Sequence, residues 1–312
     1  MTPSATTAIT RLDDASLAAL VGKPALENLK RRTRGGQSGL KGLRFEHLFG
    51  AHRIARLIQK LNESGTDAVV EWQSDGFVDD FVVRRDEQSS FKGYQLKNAQ
   101  HVSWTAGTPS IETDFALQWK VSQAEGYSNV RLRLVCSNPE LATALAGSVP
   151  ASLSAYSRAF FFPHGPPLLE MLEAHTWMAE DFAFLSKHAA PTRVDIGQVA
   201  CVLMGAWDGL SPRARVSEVW SKARDMSPTL LRSMRTDEDA RRQLIGPFRE
   251  VLDGLPDFEY VIVRGFLKWT AMSGSTAGVL SYDCFSDRFR DLQQHIVRLQ
   301  PKSFEDIEGA LA

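Results

Sequence analysis

The chain has 312 residues, 43% hydrophobic and 23% charged, with a formal net charge of −1. That length holds one large domain or two modest ones with ample core, and the balanced charge excludes a chain-wide basic field for nucleic acid. Three cysteines, Cys136, Cys201 and Cys284, stand far apart without CxxC or CxH spacing, which argues against a disulfide framework and a structural zinc site. They suit a reducing cytoplasm. The opening MTPSATTAIT lacks the charged and long apolar regions of a signal peptide, and the best apolar window, Val199 to Trp207, is far too short for a membrane span. The expectation is a cytoplasmic protein without membrane contact.

Charge is unevenly spread along the chain. From Lys23 to Lys60 there are ten Lys/Arg against two acids, Glu27 and Glu46, a local net of +8. Residues 1–42 read as a basic N-terminal extension, with a flexible stretch between Arg31 and Gly42. Helix begins near Leu43, where Phe45, Leu48, Phe49, Ala55 and Ile58 form one apolar stripe. His52 lies in that stripe and reads as a packed core histidine. Glu46 sits at its flank, with Gly50 one turn later and Arg53 another turn on.

Strands follow at Ala68–Trp72, Phe77–Arg84 and Phe91–Asn98, then a helix from about Glu112 and a strand at Asn129–Cys136. Helix, three strands, helix, strand suits an α/β sandwich with a mixed sheet flanked by helices. Beyond Pro150 strand signals become scarce. Stretches near 168–188, 196–210, 215–226, 228–234 and 285–300 read as helices, so residues 146–312 form a mainly α-helical C-terminal region behind a 43–145 domain. SPRARVSEVWSKARDMSPTLLRSMR reads as a helical hairpin, or less readily as a helix–turn–helix with Arg232 and Arg235 reaching phosphates. His164, His175 and His188 share no helix face, Cys284 has no basic neighbour to make a thiolate, and neither a P-loop nor GxSxG is present.

The chemistry concentrates in DDFVVRRDEQSSFKGYQLKN, residues 79–98. Its polar centre, Asp86 to Ser89, is the turn of an antiparallel hairpin, which sets Asp79 and Asp80 opposite Gln95 to Lys97. Gln95 and Lys97, two apart, share one face, while Tyr94 and Leu96 take the other. The expected cluster is Asp80 (or Asp79) with Gln95 and Lys97. Hard oxygen donors beside a lysine suit Mg2+ or Mn2+ rather than zinc. Such a cation would bind a scissile phosphate and lower the pKa of an attacking water. Lys97 would orient that water or stabilise the phosphorane, Glu46 would add a ligand, and Gly50 would leave room for the metal or the DNA backbone.

A helix Glu, a strand Asp, a hairpin and Gln-x-Lys together resemble the PD-(D/E)xK nuclease superfamily. Within it, DDFVV followed by YQLKN is similar to the CD-NTase-associated dsDNA endonuclease domain of anti-phage effectors, over about residues 40–140. The resemblance implies a restriction-endonuclease-like core and a metal-dependent endonuclease acting on double-stranded DNA in defence. It places the metal-binding aspartate at Asp80, with Asp79 as the register alternative, Gln-x-Lys at Gln95 and Lys97, and the helix glutamate at Glu46. Glu71 is a looser candidate ligand. Arg31, Arg32, Arg34, Lys41 and Arg53 are expected to meet nucleic-acid phosphates. A homo-oligomer and a sensor or ATPase partner are expected too, and a catalytically inactive DNA-binding or adaptor subunit is the alternative.

Overall fold

The computed structural model describes residues 12–35, 40–232 and 237–311, with only the backbone described at 31–35 and 40–43. Two helices open it, α1 (Asp14–Val21) and α2 (Lys23–Gly35), and a long α3 (Leu40–Ser64) follows. The apolar stripe of α3 is buried from Phe45 to Ile58 because its spacing keeps it on one helix face. His52 sits in that stripe, as its position implies, 2.7 Å from Asp181.

Next come β1 (Val69–Trp72), β2 (Phe81–Arg85), β3 (Ser90–Lys97), α4 (Ile111–Ala124) and β4 (Asn129–Cys136). The helix, three-strand, helix, strand order therefore stands. β2 starts later than the sequence suggested. The amide N–H groups of Phe77 and Val78 both donate to Gln118 Oε1 on α4, at 2.8 and 3.2 Å, so these two residues bind a side chain rather than a neighbouring strand.

After α5 (Pro139–Gly147) the chain adds β5 (Ser157–Phe161), α6 (Leu168–Ala174), α7 (Thr176–Ala183), α8 (Arg193–Asp208), β6 (Arg213–Arg215) and α9 (Val216–Met226). The main sheet has six strands in the order β5-β4-β3-β2-β1-β6. The β3–β4 and β4–β5 pairs are parallel, whereas β1–β2, β2–β3 and β1–β6 are antiparallel. One face of this mixed sheet lies under α3, α8 and α9, and their apolar residues form a single core with Phe81, Val83, Tyr94 and Val135. The other face lies under α4 and α5 around Phe91, Leu132, Leu134 and Phe115. Leu17 and Leu29 of the first two helices are buried with Phe77 and Val121, so the N-terminal segment docks on α4.

The remaining elements are α10 (Asp237–Arg241), α11 (Gly246–Asp253), β7 (Phe258–Val263), β8 (Phe266–Ala271), β9 (Thr276–Val279), α12 (Asp287–Leu299) and α13 (Glu308–Leu311). They enclose their own core around Phe248, Trp269, Phe289 and Ile296.

Three expectations need correction here. Packing does not divide at residue 145, because β5 and β6 complete the main sheet and α8 and α9 share its core. The C-terminal region keeps its helical majority but is not helical throughout, since β7–β8–β9 form a second antiparallel sheet. Its hairpin turns at Arg264 and Gly265, both at positive φ (55° and 81°), the type I′ geometry that glycine makes accessible. Finally, α9 has no partner helix at 228–232, where a turn leads into a bridge from Leu231 to Ser186. That removes the helix–turn–helix: Arg232 is buried against the Phe184 ring at 4.7 Å, and Arg235 lies outside the described residues. Among the described residues no helix is long and apolar enough to cross a membrane.

Candidate active site

The β2–β3 hairpin turns through a short 3-10 segment, Asp86–Gln88, and left-handed Ser89. Its register pairs Phe81 with Tyr94, so one step outward sets Asp80 opposite Gln95 and Asp79 opposite Leu96. Side chains seal the Asp80 pairing. Gln95 Nε2 donates to Asp80 Oδ2 at 2.5 Å, and the Leu96 amide donates to the same oxygen at 2.6 Å. Short bonds onto one carboxylate oxygen are charge-assisted and hold the residue in a single orientation. Gln95 itself is buried at 3% exposure, which makes the hydrogen bond obligatory for its amide.

Glu46 reaches the hairpin from α3. It is half-buried, and Gln73 Nε2, in the loop after β1, donates to its Oε2 at 2.9 Å. Burial pushes the Glu46 carboxyl above the usual glutamate range, and the negative Asp80 nearby pushes it further. The Gln73 hydrogen bond and the Lys97 ammonium oppose that rise. Glu46, Asp80 and Lys97 thus sit within one another's electrostatic reach. Gln95 and Lys97 also line a cleft of about 460 Å³, whose far wall is Asp114 and Phe115 of α4.

Asp79 is buried, at 6% exposure, and stands opposite Leu96 rather than Gln95. Its carbonyl accepts the Ser74 amide at 2.9 Å. Glu71 is not at this site. It bonds Arg84 at 3.1 Å and Arg213 at 3.3 Å, and Arg84 also bonds Glu125 at 3.1 Å. Gly50 serves packing rather than a ligand, because a Cβ there would overlap the Trp207 indole of α8. Arg53, farther along α3, stacks on the Tyr94 ring at 5.2 Å in a different cleft. The side chains of Arg31, Arg32, Arg34 and Lys41 lie outside the described residues.

Two participants escaped the sequence reading. Asp114 lies in the first turn of α4, where an acid usually complements the helix N-terminus. Gln73 lies in a loop whose path only the fold defines. The cysteines remain free, and burial raises the Cys136 and Cys284 thiols to about 11 and about 12, far from nucleophilic character.

Among the described residues no three His, Cys, Asp or Glu side chains gather as a metal cage. The oxygen donors at the open end of the hairpin are the Asp80 and Glu46 carboxylates and the Gln95 amide. Burial and the nearby Asp80 charge raise the proton affinity of Glu46, and hard oxygen donors of this kind suit a hard divalent cation. Comparison of the chain with protein-family models, with curated proteins and with solved structures finds no match.

Proposed function

We propose that the chain is a metal-dependent endonuclease that hydrolyses DNA phosphodiester bonds, with its active site at the open end of the β2–β3 hairpin. The observation that carries this reading is the bond from Gln95 to Asp80 across the hairpin, with Glu46 and Lys97 in electrostatic reach. The resemblance to the PD-(D/E)xK superfamily rests on these same four residues, and the order of helix, three strands, helix and strand supports a restriction-endonuclease-like core. A role in anti-phage defence rests on the resemblance alone.

Asp80, Glu46 and the Gln95 amide oxygen are the groups to hold Mg2+ or Mn2+, with phosphate oxygens of the substrate completing so carboxylate-poor a shell. When bound, the cation supplies charge neutralisation at the phosphate and a more acidic water. Every other task falls to the chain. Gln95 and the Leu96 amide fix the Asp80 carboxylate before substrate arrives, which avoids reorganisation during reaction. Lys97 sets a positive charge at the cleft, where it counters the charge that builds on the phosphate and orients the attacking water. Glu46 contributes in its ionised form, so its raised proton affinity moves the acidic limb of activity upward in pH.

The test is supercoiled plasmid incubated with the protein and Mg2+, Mn2+ or EDTA. Nicking with either cation and none with EDTA is expected. Salt-dependent DNA binding without cutting under any cation would favour the adaptor reading. An arm with structured RNA separates the two sugars, which a phosphate-reading site does not distinguish.

A further inference from the structure

On the α3 side of the main sheet, away from the hairpin's open end, four cations line one cleft of about 300 Å³: Arg53 of α3, Lys92 of β3, and Arg131 and Arg133 of β4. The strand register explains the grouping. Lys92 pairs with Arg131, Tyr94 with Arg133, and Arg133 with Arg158 of β5, so like charges stand side by side across parallel strands. Such neighbours destabilise a sheet. More cations surround them: Arg85 at the end of β2, and Lys60 on α3, each close enough to depress the basicity of Lys92. Burial contributes most of that depression, and together these effects bring the Lys92 ammonium down to about 8. Arg133 is lowered for the same reasons, burial first and then Arg158, Arg131 and Arg53.

Among the described residues Glu63 offsets Lys60, and other acids of adjacent elements are engaged elsewhere. Asp181 is held by His52 and Gln59, Glu125 by Arg84, and Asp86 accepts from Tyr127. Among the described residues Arg131 and Arg133 donate to backbone carbonyls, those of Ala155, Leu132 and Tyr156. Like-charged groups set side by side and partly buried cost a fold stability. A polyvalent anion reverses that loss.

We propose that this cleft binds a small oligophosphate of nucleotide size, at a site separate from the hairpin chemistry. Arg53, Lys92, Arg131 and Arg133 take the phosphates. Three of the four are guanidinium groups, suited to bidentate phosphate contacts, and half-buried Phe160 gives the cleft an apolar wall. Two features favour a small anion over a strand of the DNA substrate. The volume falls at the lower bound for small-molecule sites, on the order of 300 Å³. Lys92 and Lys97 also lie on opposite faces of β3, five residues or roughly 17 Å apart along the strand.

The test is calorimetric titration of the full chain with ATP and with inorganic tripolyphosphate. Both are expected to bind, more weakly as salt rises. Arg131→Gln and Lys92→Gln are each expected to weaken binding at least about 10-fold, the loss of one charge-assisted contact. Arg131 is exposed, so its replacement leaves the fold intact, and Lys92→Gln is expected to keep or raise the melting temperature by removing a crowded charge. Absence of binding to the folded wild type would overturn the proposal, as would binding that both variants retain. A short DNA duplex that loses affinity in these variants, while neither ATP nor tripolyphosphate binds the wild type, would assign the cleft to a nucleic-acid backbone and overturn it too.

Discussion

The two ends of the β2–β3 hairpin both carry charge, but they handle it differently. At the turn end, Arg84 is held between Glu71 and Glu125 with the Tyr127 hydroxyl alongside, and its guanidinium lies over the Phe91 ring. Arg84, Glu71 and Glu125 each have a partner of opposite sign, and the Arg84 guanidinium is held above its usual range despite burial, by the two glutamates. At the open end, Glu46 and Asp80 are acids in mutual repulsion, with Lys97 as the nearby cation. Paired charges of the first kind hold strands together, because removing one strands the others in a dry interior. Charges of the second kind cost stability, and such clusters concentrate at functional sites.

Substitutions can break this contrast, and the largest effect is expected at the open end. Lys97→Ala and Asp80→Asn should each lower plasmid nicking by roughly 10²- to 10⁴-fold, the range for losing a catalytic charge or proton-handling group. Lys97→Ala should not move the melting temperature by more than about 2 °C, since it does not fill the core, and Asp80→Asn keeps an oxygen to accept from Gln95 and the Leu96 amide. At the turn end the pattern inverts. Arg84→Met should cost about 3–5 kcal/mol in urea unfolding by leaving Glu71 and Glu125 unpaired, while the activity of the molecules still folded stays near wild type.

Gly50→Val tests whether that glycine serves packing. Its side chain would collide with Trp207 and should cost about 1–3 kcal/mol by overpacking, read again by urea unfolding. The smallest effect is expected at Glu46. Its folded pKa lies above the unfolded value, so ionised Glu46 destabilises the fold above that folded pKa and contributes nothing below the unfolded one. Glu46→Gln should therefore raise the melting temperature slightly at pH 7 and leave it unchanged near pH 4. A matching gain at both pH values would show that the carboxylate is not the cause.

Much of this arrangement was legible in residues 40–136. Polar Asp86 to Ser89 located the turn, which put Asp79 and Asp80 opposite Gln95 to Lys97, and the structure has Gln95 donating to Asp80. What stayed hidden depended on partners remote in sequence. Nothing local marks Gly50 as the seat for Trp207, or Glu71 as the partner of Arg84 and Arg213. Gln118, 40 residues away, delays β2 by capturing two backbone amides. The FEYVIV and FLKWTA runs of β7 and β8 carried β-branched and aromatic signals around Arg264-Gly265, and the surrounding helical patterns obscured them. Like-charged rows such as Lys92 beside Arg131 emerge only once parallel strands are in register.

The central claim is that the open end of the hairpin gathers its charges for phosphodiester hydrolysis. Its most direct test compares wild type, Asp80→Asn and Lys97→Ala on supercoiled plasmid with Mn2+, each confirmed folded at the assay temperature. The account predicts nicking by the wild type and a loss of at least about 100-fold in both variants. Nicking that persists undiminished in both would contradict it.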